Sequence, residues 1–137
     1  MDLTLSTCFV LVHDPDLALA FYRDTLGLEL RNDVVNGDFR WITVGAASQP
    51  GVSIVLTNFL QGSATDQDAL AALLAKGALN GVNFSSDDLD ATFEKVRASG
   101  AEIVQEPTDQ FWGARDFAVR DPSGNLVRVD QLPVEAR

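Results

Sequence analysis

Residues 7–27 read TCFVLVHDPDLALAFYRDTLG, and residues 80–100 read NGVNFSSDDLDATFEKVRASG. Each stretch opens with a short run of β-formers, Thr7-Cys8-Phe9-Val10-Leu11-Val12 in one and Asn80-Gly81-Val82-Asn83-Phe84-Ser85 in the other, and each run predicts a strand. Each continues with carboxylates placed to cap a helix: Asp14, followed by Pro15 in the first helical position, and Ser86-Asp87-Asp88. Apolar stripes follow, Leu17, Ala20, Phe21 and Leu28 in the first helix and Leu89, Phe93 and Val96 in the second. Both helices stop at a glycine, Gly27 or Gly100, and the spacing from Asp14 to Gly27 equals that from Asp87 to Gly100.

The rest of the chain extends the same repeat. Residues 28–35 and 38–44 read as strands around Asn36-Gly37, a pair that predicts a type I′ hairpin turn with φ > 0 at both central residues. Pro50-Gly51 breaks the chain, and residues 51–57 make a fourth strand. In the second half, residues 101–104, 114–119 and 126–130 are strands, the last two joined by the turn Asp121-Pro122-Ser123-Gly124-Asn125. The pattern is β-α-β-β-β twice, an α+β chain. Residues 1–137 form one domain, with modules over residues 5–57 and 80–131. Residues 58–79 link them and carry a short helix over Asp66 to Lys76. Two such units build a curved mixed sheet whose concave face, a cup, must be closed by a ligand, a partner or large side chains.

Composition narrows the function. The chain has 137 residues, enough to bury about two-thirds of its unfolded surface. Ten Lys+Arg against 20 Asp+Glu give a net charge of −10, which argues against nucleic-acid partners and suits attraction of cationic small molecules. The apolar runs are too short for a membrane span and no secretory pattern opens the chain, so a cytoplasmic location is expected. The single cysteine, Cys8, excludes an internal disulfide and reads as a buried thiol facing a helix. The single histidine, His13, falls at a strand-to-helix turn and reads as a surface residue rather than a general base.

Two segments carry a family resemblance. His13-Asp14 with Ala20-Phe21-Tyr22-Arg23-Asp24-Thr25-Leu26-Gly27 resembles the D…FY…LG signature of the vicinal oxygen chelate superfamily, which holds glyoxalase I, extradiol dioxygenases and the fosfomycin- and bleomycin-resistance proteins. Residues 111–125, FWGARDFAVRDPSGN, are similar to a segment common in the bleomycin-resistance branch. The resemblance implies paired βαβββ modules, a homodimer and a ligand site in the cup. It also implies a divalent metal in the enzymes of the family, held at positions that correspond here to Thr7, Val55, Gly81 and Arg128. None of these is His, Glu or Gln. Asp130, on the same strand face as Arg128, is the nearest carboxylate, and one carboxylate does not hold a catalytic metal. No metal or other cofactor is therefore expected.

The aromatic residues carry the leading expectation. Phe39, Trp41, Phe59, Phe111 and Trp112 fall in strands and loops that line or rim the cup, where aromatic walls suit flat or cationic ligands. Whether Phe39, Trp41 and Phe117 face the cup or a helix is open at this level. Asp33, Asp38, Asp109 and Asp116 can add attraction for a cation or serve as solvated surface charges. Arg128, if it enters the cup, must pair with Asp130, Asp116 or a ligand anion. The site set is thus Thr7, Phe39, Trp41, Val55, Phe59, Phe111, Trp112 and Arg128, binding a small aromatic molecule without covalent chemistry, as in resistance by sequestration. The competing readings are a metal-dependent lyase or dioxygenase with non-standard ligands, and a dimeric module whose cup its own side chains fill. Elemental analysis of protein purified without chelators, after Zn, Ni, Mn and Fe(II) are offered, sets the metal-dependent reading apart, and the filled-cup reading differs in predicting no pocket and no ligand. The binding reading expects no bound ion, and one ion per chain overturns it.

Overall fold

The computed structural model describes residues 2–133. Its first sheet is made of β1 (Thr7–Leu11), β2 (Glu29–Asn36), β3 (Phe39–Gly45) and β4 (Ser53–Thr57), in the order β1-β4-β3-β2. Its second is made of β5 (Asn80–Ser86), β6 (Glu102–Asp109), β7 (Arg115–Arg120) and β8 (Leu126–Gln131), in the matching order β5-β8-β7-β6. In each sheet the first strand runs parallel to the fourth and the other pairs are antiparallel. The α+β architecture and the doubled β-α-β-β-β pattern are those the sequence predicts, with each module closing its own four-stranded sheet.

The helices obey the predicted caps but not every predicted face. Asp14 accepts hydrogen bonds from the backbone N–H of Asp16 and Leu17 and starts α1 (Pro15–Leu19). From Ala20 to Thr25 the helix widens to π geometry, with Leu26 N–H reaching back to the Phe21 carbonyl. The wider turn shifts the phase of the buried stripe. Ala18, Leu19, Phe21 and Tyr22 are buried, while Leu17 and Ala20, expected on that stripe, are exposed. Gly27 and Gly100 take φ of 82° and 85°, where a β-carbon is strained, and so end their helices as expected. α2 (Ala64–Ala75) begins two residues before the predicted linker helix because Ser63 and Asp66 form a reciprocal capping box. α3 (Leu89–Ala98) is capped by Asp88 and buries the predicted Leu89, Phe93 and Val96.

Three further expectations need correction. The β2–β3 turn has positive φ only at Gly37, the sign pattern of a type II′ turn centred on Gly37-Asp38 rather than a type I′ turn on Asn36-Gly37. Cys8 is exposed, because the buried core reaches β1 only from Val10 onward. β6 runs to Asp109 with two register shifts, so Thr108 and Asp109 are strand residues and the loop carrying Phe111 is shorter than the sequence suggests.

One hydrophobic core serves both modules. It joins Val10, Ile42 and Leu56 of the first sheet to Phe117, Val127 and Val129 of the second, with Phe21, Tyr22, Phe93 and Val96 from the helices. Each sheet therefore spends one face on the shared core and turns the other away from it. At the junction Tyr22 Oη donates to Asp121 Oδ2 at 2.8 Å, and Asn125 Nδ2 donates both to Asp121 Oδ2 at 2.9 Å and to the Leu11 carbonyl at 2.7 Å. Among the described residues no helix is long and apolar enough to cross a membrane.

Burial, reinforced by the Asp121 carboxylate, raises the Tyr22 phenol well above its ordinary value near 10. The unfolded phenol ionises first, so the stability Tyr22 carries is intact below about pH 10 and is lost as pH climbs toward the folded value. Tyr22 is the only tyrosine, so tyrosinate absorbance reports it alone. We expect that absorbance to rise together with loss of the circular dichroism of the fold, not ahead of it.

Candidate functional site

Register decides which side chains share an open face. In the first sheet Thr7 pairs with Ser53, Phe9 with Val55, Thr43 with Val55, and Trp41 with both Thr57 and Val34. The face turned from the core therefore carries Thr7, Phe9, Val34, Trp41, Thr43, Val55 and Thr57, with Phe39 two residues before Trp41 on the same side. Phe59 follows β4 and joins them. The rings of Phe39 and Phe59 lie 5.0 Å apart, those of Trp41 and Phe59 5.9 Å, and those of Phe39 and Trp41 6.4 Å, so the three form one cluster. Phe39 and Trp41 thus face away from the helices, whereas Phe117 packs on Phe93 in the core.

Phe39 and Phe59 each keep about two-fifths of their surface exposed, and Phe9 keeps 68%. Phe9 was not among the expected site residues, although alternation from Thr7 puts it on the same face. Arg40 anchors the hairpin that carries the cluster from behind. Its guanidinium pairs with Asp33 on β2 and with Asp16 at the start of α1, and its hydrogen bond to Asp33 holds that carboxyl below the usual range.

The open face of the second sheet is polar. Asn83, Arg128, Ala118 and Gln105 form one row across β5, β8, β7 and β6, and Ser85, Asp130, Asp116 and Thr108 form the next. Asp116 is buried and accepts from Gln105 Nε2 at 2.8 Å and Gln110 Nε2 at 2.9 Å. Its other oxygen lies 3.5 Å from Arg128 Nη1, and Ser85 donates to Asp130. Of the partners open to Arg128, the fold supplies Asp116. The acidic residues considered as cation attractors are largely committed to arginines: Asp33 to Arg40, Asp109 to Arg115 and Asp116 to Arg128.

Phe111 and Trp112 stand at the tip of the β6–β7 hairpin, in a loop closed by bonds from Gln110 N–H to the Ala114 carbonyl and from Gly113 N–H to the Gln110 carbonyl. Their rings meet edge to face at 4.8 Å. Phe111 is 96% exposed and Trp112 59%, and among the described residues no ring contact joins them to the cluster on the first sheet. His13 is exposed near the junction, its backbone N–H bonded to Ser123 Oγ, and it borders a cleft of about 540 Å³ between α2 and the end of β1.

Comparison with known proteins gives this arrangement a family. The model of the Glyoxalase/Bleomycin resistance protein/Dioxygenase superfamily matches residues 4–129. The chain belongs to that superfamily. The structure of UcmS2 is 34% identical, with a TM-score of 0.83 over 95% of this chain and 98% of that one. TnmS3, described as an antibiotic binding protein from Streptomyces sp. CB03234, is 25% identical, with a TM-score of 0.73 over 96% and 98%. A probable lactoylglutathione lyase of Synechocystis is 28% identical over 88% of each chain.

The superfamily's metal can be tested against the donors present. Thr7 and Val55 lie on the open face of the first sheet, Gly81 on β5 and Arg128 on the open face of the second. A methyl-bearing hydroxyl, an isopropyl group, a glycine and a guanidinium do not make a metal site, whether they come from one chain or from two copies. Among the described residues no three His, Cys, Asp or Glu side chains gather in a way that could hold an ion. The residues do not fit the group.

Exposure separates two substitutions. Trp112→Ala is expected to move the urea unfolding free energy by less than about 0.5 kcal/mol, as exposed sites do. Asp116→Ala strips buried partners from Gln105 and Gln110 and is expected to cost about 1–3 kcal/mol.

Proposed function

We propose that this protein binds a flat aromatic small molecule against the ring cluster of its first sheet and acts by holding the molecule rather than transforming it. The observation that carries this reading is the Phe39–Trp41–Phe59 cluster: three neighbouring rings on the sheet face turned from the core, Phe39 and Phe59 among them about two-fifths exposed. A cluster made only for stability belongs in the core, where Phe93 and Phe117 are. Covering a ring of this size contributes roughly 2–3 kcal/mol, and several together bring micromolar affinity within reach without catalytic groups. The likeness to an antibiotic binding protein supports an antibiotic as the ligand and resistance by sequestration as the role, in the cytoplasm.

The site is completed by a homodimer. In a single chain the aromatic face and the polar face both turn away from the shared core, so neither closes the other. A second copy can lay its second sheet over the first sheet of its partner and enclose the rings, with the Phe111–Trp112 hairpin at the rim. The relationship to a probable lactoylglutathione lyase favours an enzyme instead. That chemistry depends in this superfamily on a metal, and the donor set argues against one.

Tryptophan fluorescence titrated with flat aromatic antibiotics tests the binding. Saturable quenching is expected, with Trp41→Ala weakening affinity at least about tenfold and Trp112→Ala weakening it while the protein stays folded. Unchanged affinity in Trp112→Ala removes that residue from the site, and unchanged affinity in Trp41→Ala overturns the reading. Sedimentation equilibrium is expected to give twice the 14.8 kDa chain mass.

A further inference from the structure

The ring cluster fixes the shape of a ligand but not its substituents. The polar face supplies the second criterion, and Arg128 is the residue on it that brings a positive charge together with N–H donors to spare. Its Nη1 is held at one corner, 3.5 Å from Asp116 Oδ2 and 3.4 Å from Gln105 Oε1. Among the described residues the structure gives its Nε and Nη2 no partner. Asp116 Oδ1 accepts from Gln105 and Gln110, which holds the carboxylate in place, while its Oδ2 meets only the Nη1 corner of the guanidinium. Ala118, between Arg128 and Gln105 in the register, adds only a methyl and is itself buried, so it offers the guanidinium no competing acceptor.

The Arg128 side chain keeps 38% of its surface exposed and the Asp116 side chain 8%. Water therefore serves the free edge of the guanidinium while the face is open. Once a second sheet and a ligand cover that face, the Nε–Nη2 edge must find an acceptor or remain unpaired, a costly outcome for a charged donor. Asp116 offsets the charge at close range. What remains is therefore a directional fork of N–H groups, the geometry that matches a carboxylate or a pair of adjacent oxygens. The net charge of −10 works over distances that physiological salt screens, and contact geometry at the fork outweighs it.

We propose that Arg128 selects, among flat aromatic molecules, those bearing an oxygen acceptor on the ring edge, with an ionised carboxyl or phenol preferred. The proposal rests on the ring-binding reading above and adds the chemical class of its ligand.

Anthracene-2-carboxylate, its neutral hydroxymethyl analogue and its cationic aminomethyl analogue share one ring system and differ only at the edge. Titrated against the full chain by fluorescence, the carboxylate is expected to bind about tenfold tighter than either analogue. Arg128→Gln, checked for folding by circular dichroism and urea midpoint, is expected to remove that preference and leave the hydroxymethyl analogue within about twofold of wild type. Arg128→Lys, which keeps the charge without the fork, is expected to restore only part of it. Trp41→Ala is expected to weaken all three probes alike. A preference for the cation, which Asp130 would explain, overturns the proposal, as does equal weakening of every probe by Arg128→Gln. Failure of all three probes to bind wild-type protein sinks the ring-binding reading as well. If Trp41→Ala changes nothing while the Arg128 effect stands, the ring-binding reading fails alone.

Discussion

A buried carboxylate organises the molecule. Asp121 Oδ1 accepts from the backbone N–H groups of Ser123, Gly124 and Asn125, which fixes the turn between β7 and β8. Its Oδ2 accepts from the Tyr22 hydroxyl and from the Asn125 amide, which also reaches the Leu11 carbonyl at the end of β1. A buried charge of this kind is tolerated only when its lone pairs are filled, and here donors from both modules fill them. The turn of the second module and the helix of the first are thereby held in one register. That register puts the helix side of each sheet into a common core and forces the other side outward.

The consequence is an economy of faces. Two repeats of one pattern could each bury a helix and leave similar open surfaces. They do not. Alternation in β3 and β4 gives the first open face Trp41, Thr43, Val55 and Thr57, whereas β7 and β8 give the second Asp116, Ala118, Arg128 and Asp130. One face is suited to shape and apolar contact, the other to directional hydrogen bonds. Apolar walls and a few placed polar groups are the two ingredients a small-molecule site needs, and the repeat puts one on each sheet.

Much of this was legible in the residues. Asp14, Pro15, Gly27 and Gly100 marked the helix ends because caps act locally, through backbone groups a few positions away. Leu89, Phe93 and Val96 marked a buried face because α3 keeps regular periodicity. The stripe in the first helix held only at Phe21 and Leu28: Leu17 and Ala20 face outward, and the π geometry that begins at Ala20 breaks the regular period the residues suggest. Cys8 sits on the expected side of β1 but short of the core, a matter of where the helix begins to cover the sheet. The partner of Arg128 stayed open because Asp116 and Asp130 lie on the same face, and only the brace from Gln105 and Gln110 picks one of them. Phe9 was readable from simple alternation.

The guanidinium on the second sheet, taken with the binding proposed above, also bears on how such a fold can change use. A divalent ion at the meeting of two sheets requires ligands from both, so loss of any one makes the others useless as a set. A cation supplied by the chain itself needs only one strand position and a buried counter-charge. Arg128 and Asp116 meet that need within the second sheet, on neighbouring strands, at a place the backbone already fixes. On the proposed reading the first sheet needs no donors, and its outward face is left to apolar contact. On that reading the aromatic face and the arginine divide the work, one sheet giving apolar contact and the other directional recognition of the edge of a ligand.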